Sequence, residues 1–205
     1  MKKLIPLLIL TLLALSLSAI SSADLYKKLQ SAYKGLSSYQ ANVSQSNYYP
    51  QLKKTITYTG KIYFTPGKML MHFEKPNLQR LHIEAGQVTL YDALSNTIFT
   101  SAIQPQYGRM NPLEILQLYW DRSSVKLGKQ KGDLVDVTLT PAKDAMLSSL
   151  SATINSKNGQ VQKLSYKDAG GNTVSYSFSG IKINGGISAS VWKFSYPKDA
   201  QRIDQ

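Results

Sequence analysis

Between residues 61 and 197 the chain is mostly short runs rich in β-branched and aromatic residues, separated by turn signals and without an internal repeat. Ten such runs can be marked, at 61–65, 68–75, 80–86, 88–93, 96–102, 133–141, 150–155, 160–167, 173–184 and 188–197. Asn158-Gly159, Gly170-Gly171-Asn172 and Asn184-Gly185-Gly186 supply the positive φ that tight hairpins require. Links this short join antiparallel neighbours. In 133–141 the alternation is clean, with Val135, Val137 and Leu139 on one face. Two segments read as helices instead. Residues 24–40 carry Leu25, Leu29, Ala32 and Leu36 on one stripe, with Asp24 as N-cap. Residues 111–120 open on Asn111 and Pro112 and carry Leu113, Leu116, Tyr119 and Trp120 down one side. A one-striped helix must lie on something, and a sheet of about ten strands must curl or split. The expected fold is mainly β: an incomplete antiparallel β-barrel of about ten strands, its concave apolar face covered by a helical lid.

The first 23 residues stand apart. Lys2 and Lys3 precede an apolar stretch from Leu4 to Leu17, and Ser21 and Ala23 are small residues at the −3 and −1 positions of a cleavage site. This is the pattern of a secretory signal peptide, leaving one domain over 24–205. No cysteine is present, so disulfides, thiolate metal sites, Cys nucleophiles and attachment of a lipid to an N-terminal cysteine are excluded. The charge is 24 Lys+Arg against 12 Asp+Glu; without Lys2 and Lys3 the balance is 22 against 12, or +10. The basic residues are scattered, and export argues against nucleic acid and for anionic lipid headgroups or acidic envelope proteins as partners.

Catalytic patterns are absent. No G-x-S-x-G and no phosphate-cradling glycine loop occur, and the acids are sparse, so the chain does not read as an enzyme and no cofactor is expected. Of the two histidines, His72 and His82 flank the turn at 76–79. A hairpin centred near Asn77–Leu78 sets His72 opposite Glu84 and Glu74 opposite His82. Such a face could hold a metal or, more simply, form polar pairs in solvent; no metal site is expected. The stretch PGKMLMHFEKP (66–76) then turns Met69, Met71 and Phe73, with Leu81 and Ile83, to the other side. Soft, flexible side chains of this kind suit either a core or the wall of a pocket for apolar ligands.

The order of these features resembles the periplasmic lipoprotein carrier family, LolA. The resemblance rests on the opening helix with the strand that carries Gln45, on Gly60 before a strand, and on Pro66 and Pro76 around the alternating strand. GQVTLYDALSNTIFT (86–100), NPLEIL (111–116), LTPAKD (139–144), the turn with Asp168, Gly171 and Asn172, and the terminal KFSYPKDAQRID (193–204) complete it. The resemblance implies a concave face that holds lipoprotein acyl chains under a lid that opens. Shielding acyl chains from water is worth about 0.8 kcal/mol per CH₂. The residues it points to are Ile62, Phe64, Met69, Met71, Phe73, Leu81, Ile83, Leu90 and Ile98 on the wall, with Leu25, Leu29, Leu36, Leu113, Leu116 and Trp120 on the lid. The implied partners are acylated lipoproteins as cargo, an inner-membrane lipoprotein-releasing transporter, and an outer-membrane acceptor or the membrane itself, met by a monomer in the periplasm. The family's Arg before the first Pro, which holds the lid closed, is Thr65 here, and Met69 and Met71 stand where the family has Phe and Trp. Either Lys61 or Lys68 takes over the lock, or the resting lid is more open. Three other readings share the residues: a lipid- or lipoprotein-sensing regulatory module on this fold, a carrier of another amphiphile on the same fold, and a small hydrolase with a metal at the two histidines.

Overall fold

The computed structural model describes residues 20–103, 112–142, 144 and 147–205. The signal-peptide segment to residue 19, Asn111 and the loop before it therefore lie outside the described residues.

The first helix, α1 (Ser22–Tyr33), is capped by Ser21 and not by Asp24. The Asp24 amide donates to Ser21 Oγ at 3.1 Å and Ser21 Oγ donates to Asp24 Oδ2 at 2.7 Å, so Asp24 is the third helical residue, joined to its cap through both backbone and side chain. The helix also stops early. Gly35 takes φ +66, the left-handed turn that ends helices, which leaves Leu36 in the connecting segment.

Among the described residues twelve strands follow, against the ten runs marked in the sequence. The chain runs β1 (Tyr39–Tyr49), β2 (Lys54–Thr65), β3 (Lys68–Lys75), β4 (Gln79–Glu84), β5 (Gln87–Asp92), β6 (Thr97–Ala102), α2 (Pro112–Trp120), β7 (Ser123–Lys131), β8 (Leu134–Pro141), β9 (Leu147–Asn155), β10 (Val161–Asp168), β11 (Thr173–Ile183) and β12 (Gln201–Asp204). β7 and β12 escape the sequence reading and β1 enters it only through the resemblance, as the strand with Gln45, because the apolar alternation of these strands is thin or short; β7 is a lysine-bearing edge strand, where solvent tolerates polar residues on both faces. Residues 188–197, expected as a strand, instead form a 3₁₀ turn (Ala189–Trp192) and an irregular stretch.

All strands belong to one sheet in the order β12-β6-β5-β4-β3-β2-β1-β11-β10-β9-β8-β7. Its edges do not meet, so the barrel is incomplete. Two crossings follow from this order. β6 lies beside the β12 edge and β7 forms the other edge, so the connection holding α2 must traverse one face. β11 lies mid-sheet while β12 joins the β6 edge in parallel, so residues 184–200 must traverse the sheet again. They cross the opposite face, as the contacts below establish.

The main core lies under the helices. Leu25, Leu29 and Leu116 have no exposed surface and Trp120 is 6 % exposed, packed with Val135, Val137, Leu139, Leu150, Ile154, Val161 and Leu164. α1 is seated on the β9–β10 turn. Tyr33 Oη accepts from the Val161 amide at 3.0 Å, and burial pushes the Tyr33 phenol up to about 12. A Cβ on Gly159 would sit 2.1 Å from the Lys28 carbonyl, and Gly159 also needs φ +72. Gly159→Ala is therefore expected to push α1 off the turn and to cost about 2–4 kcal/mol, read by chemical denaturation together with faster amide exchange in α1.

Candidate lipid-binding face

Directly opposed residues in a ladder share a face, so the register sorts the side chains. Ile62 opposes Met71 and Ala41; Phe64 opposes Met69 and Tyr39; Met71 opposes Leu81; Met69 opposes Ile83. The row continues from Leu81 to Leu90 to Phe99, and from Ile83 to Val88. This is the concave face, the one the helices cover. Eight of the nine predicted wall residues lie on it. They divide by burial. Ile62, Met69, Met71 and Phe73 are 2–5 % exposed and belong to the packed core, whereas Leu81, Ile83 and Leu90 are half-buried. Phe99 is 39 % exposed.

Ile98 is a correction. It opposes Tyr91 on the outer face and is 1 % exposed. Ile98 and Phe99 are both apolar, so alternation alone cannot say which faces inward. The four-residue turn 93–96 decides, because it sets Asp92 opposite Thr97 and hence Leu90 opposite Phe99. Val88 and Phe99 are the inward residues that the sequence reading missed.

The lid residues Leu25, Leu29, Leu116 and Trp120 converge on this face, and Leu36 packs against the same core from beyond α1. The Leu113 side chain lies outside the described residues. Neither candidate lock does the work expected of it. Lys61, Lys68 and Thr65 all fall on the outer parity, away from the helices. Lys68 is engaged there by Glu84, with its Nζ 6.0 Å from the Trp192 ring. The helices are tied to one another instead. The Tyr26 ring stacks on Trp120 at 4.9 Å with 8° between planes, and Tyr26 Oη donates to Asp121 Oδ2 at 3.0 Å. Burial and then the Asp121 carboxylate raise the Tyr26 phenol above its ordinary value, which keeps it the donor. Tyr119 Oη donates to Asp144 Oδ2 at 2.8 Å, fastening α2 to the β8–β9 connection.

The outer face was expected to be solvated, with the histidines paired to glutamates. The register differs by four residues: His72 opposes Arg80 and His82 opposes Leu70. The parity is unchanged, but residues 184–200 cover it. Arg80, 3 % exposed, donates through one Nη to the carbonyls of Val191 (3.1 Å) and Trp192 (3.2 Å), the free carbonyls at the end of the 3₁₀ turn, and lies 4.9 Å from the Phe194 ring centroid. Tyr91 meets Phe194 and Tyr196, and His82 faces Trp192 at 6.2 Å. Sequence reading missed this second core because its lining mixes Leu70, Tyr91 and Ile98 with three basic groups. Among the described residues no cluster of three His, Asp or Glu could hold a metal.

Burial, then the Arg80 charge, lowers the pKa of His72; Glu74 opposes this and Lys61 adds to it. Burial likewise lowers His82, with Glu84 opposing and Arg80 and Lys68 adding. Both folded values thus lie below the usual 6.5, so the unfolded chain takes up protons first as pH falls. Stability is expected to be full above pH 6.5 and to decline below it. Denaturation midpoints from pH 7.5 to 5 check this, and the decline should flatten in a His72→Gln/His82→Gln variant.

Two clefts of about 440 and 450 Å³ lie elsewhere. One is lined by Asn42, Val43, Ser44, Lys61, Glu74 and Phe178; the other by Lys27, Gln30, Ser31, Tyr33, Lys34 and Gln117. The second is too polar to bury an alkyl chain, and the first carries the charged pair Lys61 and Glu74 beside its apolar residues. The half-buried row on β4–β6 is the surface suited to apolar matter, because it continues the core sideways beyond the main packing of the helices on β7–β9.

Comparison with known proteins agrees. Residues 34–195 match the family described as outer membrane lipoprotein carrier protein LolA. Proteins named outer-membrane lipoprotein carrier protein are similar along the chain. The one from Cupriavidus pinatubonensis is 28 % identical over 186 residues, covering 87 % of this chain and 86 % of its own. That from Cupriavidus taiwanensis is 27 % identical over 198 residues, covering 93 % and 92 %. Among solved structures, an uncharacterized conserved protein from Thermus thermophilus superposes with a TM-score of 0.56 at 14 % identity, covering 91 % of this chain and all of that one. MucB gives 0.52 at 12 % identity, covering 87 % and 64 %, a likeness of fold alone. With most of its length matched and its open, helix-covered sheet, the chain belongs to the LolA family of outer membrane lipoprotein carrier proteins.

Proposed function

We propose that this protein is a periplasmic chaperone that carries acylated lipoproteins from an inner-membrane releasing transporter to the outer membrane or an acceptor on it, without enzymatic chemistry. The observation that carries the reading is the row Leu81, Ile83, Val88, Leu90 and Phe99, half-buried to exposed and continuous with the buried core. An acyl chain laid along it exchanges water for apolar contact on one side only. Deeper burial requires α1 and α2 to move, because Leu25, Leu29, Leu116 and Trp120 already fill the other half. A partial shield suits a carrier, since cargo held this way leaves more easily than cargo in a closed cavity.

The test is release of lipoproteins from inner-membrane vesicles by the mature chain, alongside binding of a fluorescent long-chain fatty acid. Stoichiometric release is expected, with probe binding lost in Leu90→Glu. Probe binding without any release would replace the carrier by a lipid-sensing module; failure of both would overturn the reading.

A further inference from the structure

A second surface has a distinct chemistry. From residue 25 to residue 73 the chain holds seven lysines and no aspartate or glutamate. Within that stretch β1 and β2 form a long hairpin whose last pairing with β3 is Thr59 with Lys75, so residues 54–58 run on past the neighbouring strand. Five residues of strand reach about 16 Å beyond the end of β3, while on the other side β11 supports β1 as far as the pair Tyr48 and Thr173. At the end, a 3₁₀ turn (Pro50–Leu52) and Lys53, in the left-handed conformation at φ 48, hold Leu52 out to solvent at 72 % exposure, with Tyr48 at 41 % and Lys53 and Lys54 exposed beside it. The β10–β11 turn stands alongside: a Cβ on Gly171 would lie 3.7 Å from Pro50 and 3.9 Å from the Lys167 side chain. The one acid of that turn, Asp168, is occupied by the amide and side chain of Asn172 at 2.9 and 2.8 Å.

We propose that this hairpin tip docks the protein onto an anionic lipid bilayer, with Leu52 and Tyr48 entering the interface and Lys53, Lys54 and Lys167 meeting the headgroups. A turn at the end of the sheet, an exposed leucine, an interfacial tyrosine and flanking lysines are what a headgroup layer favours. A protein partner with an acidic patch would use the lysines but would not need a leucine thrust ahead of them. The tip is separate from the concave face, so the proposal stands whether or not that face holds acyl chains.

Co-sedimentation of the mature chain with vesicles of equimolar phosphatidylglycerol and phosphatidylcholine tests it. Binding is expected at low salt, weakened at high salt and absent from pure phosphatidylcholine. Lys53→Glu/Lys54→Glu should lower it by about tenfold or more, and Leu52→Ser, which leaves the charge unchanged, by about fivefold. The control Lys27→Glu/Lys28→Glu makes the same charge change on exposed positions of α1, by the β9–β10 turn at the far end of the strands. Unaltered circular dichroism and fatty-acid binding in the tip variants would separate their effect from the fold and from the concave face. No binding to anionic vesicles, an equal loss in the α1 control, or full binding by Leu52→Ser would each overturn the proposal; the last would leave charge attraction alone.

Discussion

Met71→Glu is expected to unfold the domain, whereas Leu90→Glu, on the same face, is expected to leave it folded and unable to bind acyl chains. Met71 is 4 % exposed and opposes Ile62 and Leu81 in a core that also holds Met69 and Phe73. An ionised carboxylate there finds no partner, and its effective cost is several kcal/mol even after relaxation. That is a large part of the roughly 5–15 kcal/mol that holds a domain together. Removing a well-packed side chain adds a further loss of about 2–4 kcal/mol. Leu90 is half-buried beside the exposed Phe99, so a carboxylate there can remain hydrated while repelling alkyl chains. Circular dichroism and denaturation of both variants, with the fluorescent fatty acid as second readout, separate the outcomes. A Met71→Glu protein that folds with an unchanged midpoint and has lost only ligand would show that the wall of the site reaches into β3.

The second large effect belongs to the outer face. Arg80→Ala is expected to cost about 3–5 kcal/mol and to free residues 187–200 from the sheet. The guanidinium meets two carbonyls of a turn whose last carbonyls have no helical partner, and it lies over Phe194. Removing it strands those carbonyls, at about 1–3 kcal/mol, and leaves a void among Tyr91, Phe194 and Trp192. Arg80→Lys should recover little, since a lysine ammonium lacks the planar group that stacks on the ring while donating to both carbonyls. Limited proteolysis is the direct check, with cleavage expected within 187–200 before global unfolding. Because β12 pairs with β6 only after this segment has crossed, the loss should extend to that edge. Equal protection of the segment in wild type and Arg80→Ala would show that the aromatic contacts hold it unaided.

Part of this architecture is legible in the chain. The alternation in residues 68–75 assigns Met69, Met71 and Phe73 to one side whatever register is adopted, because the side-chain period is two. The register of the His72 hairpin differs by four residues from the one a turn at Asn77–Leu78 implies, and the parity is the same for the same reason. Alternation fails where both parities are apolar, as at Ile98 and Phe99, since the register then depends on turn length and turn length on the fold. It fails also for the lid lock. Lys61 and Lys68 are close in sequence to the expected position, yet their parity sends them away from the helices, and the tie falls to Tyr26, a residue of α1 itself.

The sequence by itself determined most of the antiparallel strands, the stripe on each helix and the dry side of the strands whose alternation is clean, such as β3 and β8. Those follow from local stereochemistry and the cost of exposing apolar groups. Which strands lie at the edges, and what covers each face, only the tertiary structure decided. The crossing of residues 184–200 turned an apparently solvated row of His72, Arg80 and His82 into a second core. The packing of α1 and α2 divided one apolar face into a filled half and an open half. Burial is a property of segments far apart in the chain, and local patterns carry no information about the distant segment that arrives to cover them.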